Sequence, residues 1–252
     1  MTEAAIESNE SAPACANCAA ELATGQHYCG TCGQRTGRAR LTMRDIGHDF
    51  LHALMHVDHS ILALMKALLL RPGYVAREYV DGKRKKYFGP FAFLVIMVGL
   101  ASFMIVVTGV KWVQSDAEVG IVVFLQQHLN IVILAQVPLL AGSCWLLFWK
   151  ERLHFAEHLV LVAYTSGFKI LFLALVVLPL VMLSSVQLAS VPSLALYVAG
   201  AIYFAIAAKQ FYGGRAPWVV VRALVASVIC QLLTYSLLAL VITLSIMLAT
   251  HR

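Results

Sequence analysis

The run PFAFLVIMVGLASFMIVVTGV, residues 90–110, leaves a chain few choices. It carries no charge, and about 20 such residues at 1.5 Å each match the hydrocarbon core of a bilayer. In lipid, backbone N–H and C=O groups find partners only within a helix or a closed barrel. Comparable runs recur at about Asn130–Trp149, Glu157–Ser184 and Ser190–Ala208, and within Trp218–Leu248. They explain why 60% of the chain is hydrophobic and only 13% charged, where a soluble domain carries about 25% charged residues. The expected fold is an all-α polytopic membrane protein with five transmembrane helices in residues 90–250. A polar region of about 90 residues precedes them, and Val119–Leu129 reads as an amphipathic lead-in to the second span.

Lysine and arginine set the expected orientation. Residues 33–90, the connection between spans two and three, and the connection between spans four and five together hold sixteen of them. The opposite side holds Lys111 and Arg252, and Lys169 falls within a span. The N-terminus is therefore expected in the cytoplasm and the C-terminus outside. Trp112, Trp149 and Trp218 fall at span ends, as an aromatic belt requires. Residues 1–14 are acidic and lack the basic and apolar parts of a signal peptide, so they read as a disordered tail.

Within CANCAAELATGQHYCGTCGQ, Cys15 and Cys18 form one CxxC pair and Cys29 and Cys32 a second. Two such knuckles can offer four thiolates tetrahedrally to one zinc ion, with Gly30 and Gly33 permitting tight turns. Disulfides are the alternative, which a reducing cytoplasm disfavours. Residues 15–36 thus read as a zinc ribbon holding one structural zinc, closed to catalysis because four cysteines leave no open position. Arg35, Arg38, Arg40 and Arg44 follow, so close to the membrane that anionic lipid is favoured over nucleic acid as the neighbour. Cys144 and Cys230 read as small buried apolar residues.

Residues 41–89 read as amphipathic and basic juxtamembrane helices. From Leu41 to Leu70, Ile46, Phe50, Leu54, Val57, Ile61, Leu64 and Leu68 recur at helical steps. Asp45, His48, His52, His56 and His59 share the opposite face. Histidines four apart can share a metal. His154, Glu157 and His158, in the HFAEH that opens span three, offer a second such set and fit the H-x-x-E-H hydrolase pattern. A second metal held by Asp45, His48, His52, His56, His59, Glu157 and His158 is one reading, with His154, Glu157 and His158 the catalytic candidates. A solvated or interhelical polar face is the reading that needs less, and a pH-responsive interface is the third.

Arg77, Lys83, Arg84, Lys85 and Lys86 stand directly before span one, where a basic cluster anchors topology and attracts anionic headgroups. Lys169 lies near mid-span and Gln136 in span two. An ionisable residue there is a functional candidate, and snorkelling of the lysine to the interface is the alternative.

Three segments carry a resemblance: CANC…YCGTCGQ followed by RLT, RPGYVAREYVDGKRKKYFGP before the first span, and FAEHLV opening the third. The chain from about Cys15 to the fifth span resembles a bacterial family of uncharacterised multi-span membrane proteins with an N-terminal zinc ribbon. The resemblance implies architecture and no activity, the family being a domain of unknown function. Pro72, Gly73, Tyr79, Gly82, Arg84, Tyr87, Glu157 and His158 stand at its recurrent motif positions. The expected function is a non-enzymatic scaffold or recruitment protein of the inner membrane. Its partners are the bilayer, anionic lipid and an unidentified protein, and an oligomer is compatible. The rivals are a membrane-embedded metal-dependent enzyme acting on lipid at the cytoplasmic His/Glu site, and a transporter or channel.

Overall fold

A computed structural model of the protein describes residues 14–23, 25–36, 43, 60–108, 129–179 and 193–250. The acidic tail through residue 13, and the part of the expected juxtamembrane helix that carries Asp45, His48, His52, His56 and His59, lie outside the described residues. So do 109–128, with Trp112, and 180–192.

From Ser60 onward the described residues are mostly helical; those within 14–36 form turns with two isolated bridges, and no strand occurs among the described residues. The helices are α1 (Ser60–Leu70), α2 (Pro72–Val80), α3 (Pro90–Thr108), α4 (Leu129–Leu147), α5 (Phe155–Phe172), α6 (Ser193–Tyr212) and α7 (Ala216–Thr250). A 3-10 turn, Trp149–Glu151, leads from α4 towards α5, and α5 continues through a π turn at Leu173–Val177. Among the described residues, four segments are long and apolar enough to cross a membrane: Pro90–Thr108, Asn130–Leu147, Phe155–Val177 and Ala216–Leu244. The expected fourth span coincides with α6, which is helical but not among these four.

The sequence expects Arg71-Pro72-Gly73 to end the juxtamembrane helix. α1 does end at Leu70, but Pro72 serves as the first residue of α2, where its missing N–H costs nothing. Gly73 then sits directly against α6. A Cβ there would lie 2.0 Å from the Ala207 carbonyl oxygen. The Gly73 N–H donates to the Gln210 side-chain oxygen at 2.9 Å.

α5 is the central helix. Two-thirds of its span (67%) is buried, against a third or less of the other three. Gly167 lets α3 approach it, since a Cβ there would meet the Phe93 ring at 2.8 Å. Tyr164 is fully buried on α5; its hydroxyl donates to the Phe88 carbonyl at 2.7 Å and its ring meets Tyr79 of α2 edge-on. Tyr203 of α6 donates to the Leu68 carbonyl at the end of α1.

One end of the bundle gathers most of the polar chain. Phe148 beyond α4 stacks on Tyr212 at the end of α6, with ring centres 3.9 Å apart. His158, in the first turn of α5, shares a 2.6 Å hydrogen bond with the Tyr212 hydroxyl. Arg222, in the second turn of α7, stands over the Phe148 ring at 5.9 Å. The start of α3, the end of α4, the start of α5, the end of α6 and the start of α7 thus lie together, with α1 and α2 packed against them.

Candidate metal centre

The two cysteine pairs fold as one motif written twice, fourteen residues apart. In the first, the Cys15 N–H donates to the Ala20 carbonyl and the Ala19 N–H to the Cys15 carbonyl. In the second, Cys29 donates to Gln34 and Gly33 to Cys29, at the same 2.8–2.9 Å. Bridges between Ala14 and Glu21, and between Tyr28 and Arg35, repeat at the same offset. Each knuckle needs a left-handed residue just after its second cysteine. Gly33 takes that place at φ 68°, and Ala19 at φ 60°. Gly30 keeps a negative φ, so the residue paired with Gly33 is Ala19, on which the glycine pattern gives no hint.

The knuckles face each other. Cys15 Sγ lies 3.6 Å from Cys32 Sγ, and Cys18 Sγ lies 3.6 Å from Cys29 Sγ. All four sulfurs fall within 4.8 Å of one another. A tetrahedral zinc ion with Zn–S bonds of about 2.3 Å would space its sulfurs by roughly 3.8 Å, so the donor set fits that ion. The thiols also share negative charge unevenly. N–H groups of Cys32 and Thr31, aimed at the Cys29 sulfur, lower that thiol to about 6. Cys32 is lowered too, chiefly by the Gln34 N–H. The Ala20 N–H pulls Cys18 down, but desolvation and the neighbouring sulfurs outweigh it and push this thiol up to about 12. Backbone amides hold some thiolates, and the crowding of the rest is what a cation would relieve.

Gln34 joins this unit to the membrane domain. Its amide nitrogen donates to the Gly82 carbonyl at 2.5 Å, and its oxygen accepts from the Arg84 and Lys85 N–H groups at 3.2 and 3.4 Å. Gly82 turns at φ 107°, and a Cβ there would lie 3.1 Å from the Ala16 side chain. The cysteine unit therefore docks on the loop that leads into α3.

That loop is less free in charge than its composition. Glu78 binds Lys83 at 3.2 Å, Lys86 at 2.7 Å and the Tyr87 hydroxyl at 2.5 Å. Burial pushes the Glu78 carboxyl up, but the hydrogen bonds from Lys86, Tyr87 and Lys83 outweigh it and pull it down to about 2. Arg77 pairs with Asp81 at 3.2 Å. Of the five basic residues expected to meet headgroups, Arg84 and Lys85 have no carboxylate partner among the described residues, and the Arg84 Nε is buried without a hydrogen bond. This ion-pair hub was not legible, because Glu78 and its partners stand five to nine residues apart across a turn.

The H-x-x-E-H residues take separate positions. His154 is the N-cap of α5, and its N–H donates to the buried Glu157 carboxylate at 2.8 Å. His158 is fully buried and turns to Tyr212, with its Nε2 lacking a hydrogen-bond partner. Among the described residues, the four cysteines are the only group of three or more metal-type side chains brought to one point. Cys144 and Cys230 are buried as expected, the latter donating weakly to the Gln136 carbonyl at 3.7 Å. Lys169 lays its side chain along Gly200 of α6, where a Cβ would approach its Cδ to 3.1 Å.

Comparison with known proteins adds one match. A family described as "Protein of unknown function (DUF3667)" matches residues 58–101, the stretch that holds α1, α2, the basic loop and the first half of α3. No curated protein and no solved structure matches the chain.

Proposed function

We propose that the protein is a non-enzymatic component of the bacterial inner membrane, crossing it five times, that organises a partner at the cytoplasmic surface. Its N-terminal knuckles form a zinc ribbon holding one structural ion through Cys15, Cys18, Cys29 and Cys32. When bound, the zinc supplies most of the folding energy of a unit too small for a core of its own. Arg84 and Lys85 face the anionic leaflet, and the ribbon offers the surface a protein partner would meet. The four sulfurs within 4.8 Å, on a unit seated by Gln34 on the loop before α3, carry this reading.

Metal analysis of the purified full chain tests it. One zinc per chain is expected, lost on replacing Cys15 and Cys18 with serine. A second metal that survives those changes and disappears with His158→Ala would overturn the non-enzymatic reading in favour of a metal-dependent membrane enzyme. Finding disulfides in place of zinc in freshly extracted protein would overturn the ribbon.

A further inference from the structure

Tyr74 of α2, one stripe of α6 and one stripe of α7 enclose a groove of about 430 Å³. That volume is in the range of small-ligand sites. Lys209, Ile206 and Ile202 stand at steps of three and four on α6, so they share a face. Leu224 lines the opposite wall from α7. The groove faces outward: Tyr74, Ile202 and Ile206 are about half exposed, at 56, 53 and 49%. Its wall is graded. Lys209 and Gln210 give it a polar end, Tyr74 also lines it, and Ile202 lies about 10 Å from Lys209 along the helix axis.

The polar end has donors to spare. Lys209 has no carboxylate partner among the described residues. The Gln210 oxygen is committed to the Gly73 N–H, which fixes the amide and leaves its NH₂ without a partner among the described residues. Among the described residues, no acidic residue lines the groove. Three hydrogen-bond donors, one of them a cation, above an apolar slot match a molecule with an anionic head and a hydrocarbon tail.

We infer that this groove is a binding site for a phospholipid with net negative headgroup charge, its phosphate held by Lys209, Gln210 and Tyr74 and one acyl chain lying along Ile206, Ile202 and Leu224. The site is separate from the basic loop before α3. It draws its occupant from the cytoplasmic leaflet, and so it rests on the membrane reading above. One lipid bound there would join α2, α6 and α7, coupling the docking platform of the ribbon to the last helix.

Native mass spectrometry of the full chain in detergent micelles tests the site, with phosphatidylglycerol and phosphatidylcholine of matched acyl chains as probes. One phosphatidylglycerol per chain is expected to be retained in preference to phosphatidylcholine. Lys209→Met should weaken that retention about fivefold, the effect of one surface cation on an anionic lipid. Ile206→Trp, which fills the slot and keeps the lysine, should abolish it, and Lys150→Met, which removes an exposed cation in the Trp149–Glu151 turn, should leave it unchanged. Equal retention of the two lipids, or retention indifferent to Ile206→Trp, would overturn the site. Displacement of phosphatidylglycerol by inorganic phosphate would also overturn it, as an ion site without a lipid groove. Release of the protein from membranes by alkaline carbonate would instead sink the membrane reading, a result distinct from any of these.

Discussion

Ala19 and Glu78 show how much a single residue decides. A left-handed backbone costs an ordinary L-residue about 1–2 kcal/mol, and glycine returns about half of that as lost chain entropy. Ala19→Gly should therefore stabilise the first knuckle by about 0.5–1 kcal/mol. Amide hydrogen exchange at Cys15, whose N–H is bonded across that knuckle to Ala20, would read the gain; equal or faster exchange would show that the turn is not strained. The cysteines themselves were legible because zinc ligation fixes both residue type and spacing. Ala19 was not, because φ is not written in an alanine. Glu78 gives a pH dependence with a definite sign. Its folded value of about 2 lies below the ordinary 4.5, so its stabilisation is complete above about pH 4.5 and is lost as pH falls towards 2. The partner lysines are 40% exposed, so solvent screening reduces the contribution to about 1 kcal/mol. Thermal unfolding of Glu78→Gln against the parent should show that difference at pH 7 and little of it at pH 2. A difference that grows on acidification would reverse the assignment.

Elements meet here through a few close approaches that hydropathy cannot express. The apolar runs that became α3, α4, α5 and α7 were readable, because lipid and a packed helical interior select the same side chains. The seam between α2 and α6 was not. Pro72-Gly73 reads locally as a stop, and only the tertiary contact reveals that Gly73 is small so that Ala207 can approach. Gly73→Ala would place a methyl in backbone, where no rotamer change relieves it, and should cost about 1–3 kcal/mol. Gly99→Ala, at a position with open space around its Cβ, is the matched control and should be near neutral. Gln34 is a second such joint, made across 48 to 51 residues of sequence. In Gln34→Ala the Arg84 and Lys85 amides lose their acceptor and should exchange several-fold faster, while the four cysteines keep their metal. Unchanged protection at both amides would mean that the loop holds its shape without the ribbon.

At the scale of the whole molecule, the proposed five-pass topology draws on the charge count and on the packing. Five passes would gather sixteen of the basic residues on one side, which is what insertion energetics favour. The packing argues from geometry. α5 begins beside Tyr212 and runs 23 residues to Val177, long enough to leave its far end across the bilayer. α6 ends where α5 begins, and its 20 residues, about 30 Å, are long enough to carry the chain back. α7 then starts at the same end and departs again. α6 carries four polar side chains, Tyr197, Tyr203, Lys209 and Gln210. Three of these have partners in the fold: Tyr197 with the Ser227 carbonyl, Tyr203 with Leu68 and Gln210 with Gly73. The proposed five passes would put the C-terminus on the side opposite the cysteines. A fluorescent-protein fusion after Thr250 should therefore be dark, and an alkaline phosphatase fusion at the same point active. Fusions at Gly213, in the turn between α6 and α7, should show the reverse. Fluorescence after Thr250 with none at Gly213 would mean that only four helices cross and that α6 lies on the surface.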